Sequence, residues 1–272
     1  MRIWFQKHTI KGRLPALDAA YEAHVRKIAG PKTQVDFHSL PDETYQASLP
    51  ERYVRYAAVE SLFASYFALQ AIRAERQGYD AYVIGTSQDP GLADARAWVD
   101  IPVLGYGETA AHAAAMLGQR FAFVGFIPEL AEPIAANMRR YGLADRLVPF
   151  VPISGGHASL EAALTGSPGA HLDAFRQAAR TAAAAGAEVI IPGEGLTNEV
   201  LFAAGVREVD GVAIVDANGL LIKMAELFVE CRRSGVLSRP QAGYYNRRPG
   251  REHIAHLLKL FAPRVFPVDQ IK

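Results

Sequence analysis

Glu194 is the residue of this 272-residue chain best placed to move a proton: it stands between two glycines, just after the apolar run Val189-Ile-Ile-Pro192. A carboxylate in such a place must be solvated in a cleft or paired, because an isolated buried charge is too costly. General acid/base work is one reading of it. A glutamate has an ordinary pKa of ~4.3, and burial raises it toward the neutral range in which proton transfer is efficient both ways. A helix-start anion is the other reading, since Thr197-Asn198-Glu199 follow. Thr86 and Ser87 close a similar run, Ala81-Tyr-Val-Ile-Gly85. Their hydroxyls could hold a substrate carboxylate or oxyanion, attack as a nucleophile activated by Glu194, or cap a helix beginning near Pro90. Backbone N–H groups of the turn glycines Gly85, Gly193 and Gly195 would help to hold a developing negative oxygen.

Other candidates carry less. Glu108 and His112 are four apart, so on one helix face they either line a cleft or form a plain helix-start pair. No third ligand accompanies them, so no metal is expected. The glycines of Ser154-Gly-Gly-His157 would let backbone approach a ligand carboxylate, or they make a mobile loop. The single cysteine, Cys231, excludes a disulfide within the chain and a cysteine-based metal site, and it reads as a bland thiol at a helix end. The run Tyr244-Tyr-Asn-Arg-Arg248 reads as a lid, a subunit contact or a solvated basic loop.

These residues need elements to hold them. Short apolar runs at Arg2–Phe5, Val35–His38, Ala81–Ile84, Phe121–Gly125, Leu147–Val151 and Val189–Ile191 read as strands. Between them lie helical stretches at Leu14–Ala29, Arg55–Gln77, Ala110–Leu117, Pro133–Tyr141, Leu172–Ala185 and Leu220–Arg233. Such alternation predicts α/β architecture with parallel sheets covered on both faces. An irregular connection over Arg232–Gly250 leads to a last helix, Arg251–Phe261. The chain also repeats itself: Gly78 and Gly186, Gly85 and Gly193, and Thr86 and Glu194 are each 108 positions apart. A second echo pairs Gly107 with Asn218, at an offset of 111. The repeat predicts two similar Rossmann-like lobes related by a pseudo-twofold axis, the first from residues 1–107 and 219–272, the second from 108–218. In such sheets ligands bind beyond the carboxyl ends of the strands, which would set Thr86 and Glu194 face to face across an interlobe cleft.

Lys+Arg total 29 against 28 Asp+Glu, a balance with no footprint for nucleic acid or an anionic membrane. The N-terminal apolar run is too short for a signal core, and no stretch approaches a membrane span. A cytoplasmic protein acting on a small molecule, and assembling as a homo-oligomer, is expected.

Several segments resemble the aspartate/glutamate/hydantoin racemase superfamily, most of all its hydantoin racemase-like members. Gly85-Thr-Ser-Gln-Asp-Pro-Gly-Leu92 is similar to a segment reading Cys, two residues, then Asp-Pro-Gly-Leu. Ile101-Pro-Val-Leu-Gly-Tyr-Gly-Glu108, Leu117–Val124, Ala187–Gly195 and Asp210-Gly-Val212 match further stretches. In the racemases one cysteine on each lobe removes or returns a proton beside a carbonyl, and here Thr86 and Glu194 stand in those places. A threonine cannot mirror a thiol, whereas a carboxylate can do proton work. The resemblance places His8 near the substrate, the alternative being a solvated loop histidine. It also puts Gly125 and Phe126 where relatives often carry hydroxyl residues that hold a carboxylate, which implies an altered or less anionic substrate.

Three functions stand at this point. The first is a cofactor-independent isomerase, racemase or lyase, with Glu194 moving a proton next to a carbonyl of a small carboxylate or cyclic amide. The second is a hydrolase of an amide or cyclic imide, using Glu194 with water or with Thr86/Ser87. The third is a non-catalytic small-ligand binder, against which the carboxylate at a cysteine position argues.

Overall fold

The computed structural model describes residues 1–47 and 49–261. The first lobe contains β1 (Arg2–Ile10), α1 (Pro15–Ile28), β2 (Gln34–Leu40), α2 (Glu51–Val54), α3 (Ala57–Arg76), β3 (Ala81–Ile84), α4 (Leu92–Trp98) and β4 (Val103–Gly105). Helix α5 (Tyr106–Leu117) leads into β5 (Phe121–Gly125), α6 (Ala131–Arg140), β6 (Leu147–Pro152), α7 (Gly156–Leu164) and α8 (Gly169–Ala184). Then follow β7 (Val189–Pro192), α9 (Gly195–Ala203), β8 (Glu208–Val209), β9 (Val212–Ile214), α10 (Ala217–Arg233) and α11 (Arg251–Phe261).

The strands form two sheets, β2-β1-β3-β4 and β6-β5-β7-β9-β8, parallel except for the β8–β9 pair. Strands β3, β5 and β7 are buried at every position, as apolar strands must be when helices cover both faces. The helices supply matching apolar stripes: Leu17, Tyr21 and His24 on α1, and Leu172, Phe175, Ala179 and Ala182 on α8. One core runs through both lobes, joining Ile3, Phe5 and Val83 to Phe121, Phe123 and Ile190 by way of α5 and α10. A second core lies under α3 and α4, around Trp4, Phe67, Tyr82 and Ile84.

The lobes repeat each other at bond level. Gln6 pairs with Ile84 as Val124 pairs with Pro192. The Gly85 N–H then donates to the Gln6 carbonyl at 2.9 Å, and the Gly193 N–H to the Val124 carbonyl at 2.7 Å. The second echo falls on the first turns of α5 and α10. Asp89 accepts from the N–H groups of Gly107 and Glu108 at the former, and at the latter the cap Asp216 accepts from the Gly219 N–H while Asn198 Oδ1 accepts from the Ala217 N–H.

Sequence reading set no bounds for α2, α4, β4, α7, α9, β8 or β9, although it weighed a helix starting near Pro90 and another after Glu194. It also ended the first strand too early: β1 runs to Ile10, so His8 lies within it, beyond the last residue paired with β3. The segment after α10 is irregular, as expected. Its Arg248 bonds Asp100 and Glu75, and Arg239 donates to the carbonyls of Arg96 and Ala97. Asp100 precedes β4 and Glu75 ends α3 ahead of β3, so Tyr244–Arg248 packs at the amino ends of the strands and is no lid on their carboxyl ends.

Candidate active site

Beyond the carboxyl ends of β1, β3, β5 and β7 the lobes enclose a cavity of about 30 Å³. Thr86 lines it from one lobe and Glu194 from the other, both buried. This is room enough for ordered water.

Glu194 occupies the residue before the first turn of α9, yet its side chain caps nothing there. It reaches across to the loop after β5, where its carboxylate accepts from the N–H of Phe126 at 3.1 Å and of Ile127 at 3.2 Å. Gly125 makes room for it: a Cβ at that position would lie 2.5 Å from Glu194 Oε1. Gly193 is just as constrained, since a Cβ there would lie 2.9 Å from the Gly125 Cα. Gly125→Ala should therefore push the carboxylate off its two N–H donors. The expected result is a large loss of turnover with little change in melting temperature; unchanged turnover would show that this bonding is dispensable.

Thr86 caps no helix either, since α4 starts after the left-handed Gly91, and its hydroxyl donates to Gln88 Oε1. His8 also lines the cavity, with its ring against Phe63 and Phe67. Burial lowers its pKa to about 3, so it is neutral at physiological pH. Gly85 and Gly195 contribute wall. A Cβ on Gly85 would strike the Phe5 ring at 2.2 Å, so strand β3 can approach β1 this closely only as glycine.

Other candidates lie elsewhere. Ser87 is buried beneath the loop, and its hydroxyl has no partner among the described residues. Glu108 bonds Arg96 with both carboxylate oxygens, and its expected partner His112 is exposed beside Tyr141. Ser154 is exposed and lies outside the cavity wall, and the glycines after it open helix α7 instead of cradling a ligand. Cys231 lies near the end of α10, outside the cavity wall. Iodoacetamide and Cys231→Ser should accordingly leave turnover nearly intact, and its abolition by alkylation without unfolding would mean that a thiol takes part. Among the described residues no three His, Cys, Asp or Glu side chains gather as a metal site, and no helix is long and apolar enough to cross a membrane.

Sequence reading missed Lys7, Thr9, Tyr21 and Gln88 as wall residues. Three of these are neighbours of residues it did select; Tyr21 is on α1, far off in sequence. It also missed a buried polar cluster that joins the lobes beside the cavity. His24 of α1 bonds Glu199 of α9 through Nδ1 at 2.8 Å and Asp216, the cap of α10, through Nε2 at 2.9 Å. Asn218 donates to Glu199 at 2.8 Å and Asn198 to Asp216 at 2.9 Å. Burial alone would lower the His24 pKa, but the hydrogen bonds and charges of Asp216 and Glu199 outweigh it and lift it to about 9. Burial works the other way on Asp89, raising its carboxyl to about 7 against the bonds from Tyr141 and the α5 N–H groups.

The chain is thus an α/β protein of two lobes, each built on a parallel-dominated sheet. The chain belongs to the Asp/Glu/Hydantoin racemase family, whose model matches residues 19–225. It is 29% identical to a hydantoin racemase of Pseudomonas sp. (strain NS671) over 180 residues, which are 64% of this chain and 70% of that protein. A hydantoin racemase of Paenarthrobacter aurescens is 30% identical over 176 residues, 62% of this chain and 70% of the relative. Among solved structures, an allantoin racemase from Klebsiella pneumoniae superposes with a TM-score of 0.73 at 23% identity, over 92% of this chain and 94% of its own, a likeness of fold.

Proposed function

We propose that this protein is a cofactor-independent isomerase of the racemase type, which moves a proton on the carbon next to a carbonyl in a small carboxylate or cyclic amide. Glu194 is the acid/base. The observation that carries this reading is its carboxylate, buried at the carboxyl end of β7, oriented by two backbone N–H groups and lining the same cavity as Thr86. Orientation of this kind keeps a base aimed at one atom and removes the cost of arranging it at the moment of reaction. The hydantoin racemase relatives favour a ring carbon flanked by a carbonyl as the reacting centre. With the Thr86 proton directed at Gln88 and not at Glu194, a threonine nucleophile activated by that carboxylate is disfavoured.

Incubation in deuterated water with single enantiomers of 5-substituted hydantoins and small 2-substituted carboxylates tests the proposal. Deuterium should enter at the carbon beside the carbonyl as optical rotation decays. Incorporation of labelled water oxygen into a ring-opened product would instead mark a hydrolase. Saturable binding with neither would mark a binder.

A further inference from the structure

Proton abstraction beside a carbonyl leaves negative charge on that oxygen, so the site needs a hydrogen-bond donor other than the groups already engaged. The N–H groups of Phe126 and Ile127 are directed at Glu194. The Thr86 hydroxyl is directed at Gln88, and the Lys7 ammonium pairs with Asp18. Thr9 Oγ1 and His8 Nε2 are buried without partners among the described residues. Tyr21 differs from these side chains in standing beside the residue that follows Glu194. It lines the cavity, and its hydroxyl lies against the residue that follows Glu194: a Cβ on Gly195 would stand 2.8 Å from that oxygen. Among the described residues no carbonyl or carboxylate accepts its proton, and both protons of Asn218 Nδ2 go elsewhere, to Glu199 and the Gly195 carbonyl.

We propose that the Tyr21 hydroxyl is a catalytic group of this site, donating a hydrogen bond to the substrate carbonyl oxygen as it becomes an enolate oxygen. The inference rests on the proton-transfer reading above. Glu194 takes the proton from carbon; the C–H electron pair becomes the carbon–carbon π bond, and the carbonyl π pair moves onto oxygen, where the Tyr21 O–H meets it. The flow reverses when a proton returns; inversion requires its delivery to the opposite face, from solvent or after the planar enolate turns its other face to Glu194, and Tyr21 keeps its own proton throughout. Burial and the Glu199 charge push the phenol well above its ordinary pKa, so it remains a donor across the working pH range. Its position is fixed from behind: Asn218 donates to Glu199 at 2.8 Å and to the Gly195 carbonyl at 3.1 Å, and Glu199 bonds His24, one turn along the same helix as Tyr21.

Two measurements test this. In the deuterium-exchange assay with an L-5-benzylhydantoin probe, Tyr21→Phe should lower kcat about 100- to 1000-fold and leave KM within about threefold, since the bond strengthens only as charge develops. A kcat within threefold of the parent, in a protein where Glu194→Gln is inactive, would overturn the Tyr21 role and leave the Glu194 reading standing. The second measurement needs no turnover. With 3-fluorotyrosine at position 21, adding the same hydantoin should shift its 19F resonance saturably. The absence of a shift at concentrations where binding is seen calorimetrically, or the absence of any binding, would overturn the proposal. A shift without deuterium exchange in the parent enzyme would keep the Tyr21 contact with ligand and sink the proton-transfer reading together with the catalytic role built on it.

Discussion

Glu194→Gln should fold as the parent does and lose about 100- to 10,000-fold in turnover, the usual cost of removing a general acid/base. Glutamine has the same length and keeps one oxygen to accept from the Phe126 and Ile127 N–H groups, but it cannot take a proton. Its amide N–H₂ must also point somewhere in a wall that already offers donors, so a modest loss of stability is expected beside the large loss of rate. Steady-state kinetics and a melting curve on the same sample separate the two. Turnover near that of the parent would remove Glu194 from the chemistry altogether.

The second large effect concerns stability. His24→Ala leaves Glu199 and Asp216 without the cation between them, and breaking a buried pair typically costs about 3–5 kcal/mol. The pH dependence has a definite sign. The folded pKa, about 9, lies above the unfolded value of roughly 6.5, so folding takes up a proton between them. The stabilisation is complete below the lower value and is lost as pH rises through the upper one. Urea denaturation should show the parent losing on the order of 3 kcal/mol between those limits, with His24→Ala lacking that component. Identical pH slopes in the two proteins would show that His24 carries no proton in the folded state. Because the three residues come from α1, α9 and the cap of α10, the loss should also loosen the joint between the lobes and raise the exchange rate of α9 amides.

Sequence reading found what apolar periodicity can find. Strands β3 and β5 and helix α11 lie within the limits that it set, the strands because fully apolar runs are buried on both faces, and the helix because its apolar residues recur at helical spacing. Helices α7 and α9 escaped it. Gly155 and Gly156 have positive φ of 78° and 44°, so the start of α7 reads as a loop, and its helix is held by burial of Leu160 and Leu164. Helix α9 opens Gly-Leu-Thr-Asn, where all but the leucine are weak helix formers, and all four pack into the core all the same. The opposition of Thr86 and Glu194 was legible because a gapless repeat carries register as well as similarity. What holds Glu194 was not: backbone N–H groups exist at every residue and have no signature. Neither could spacing bring His24 to Glu199 and Asp216, since only the folded chain sets α1 beside α9. Glu108 was misplaced for a related reason. Helical spacing put it near His112, but Arg96 on α4, a helix for which sequence reading had a start and no partner, takes its carboxylate.

The contact between Gly125 and Glu194 also ties two positions together. With a Cβ at 125 only 2.5 Å from the acid's oxygen, glutamate at 194 is compatible with glycine at 125 and with little else. A larger residue at 125 would displace the acid from its two N–H donors, so the two positions act as one steric unit, and sequences that keep the glutamate should keep the glycine.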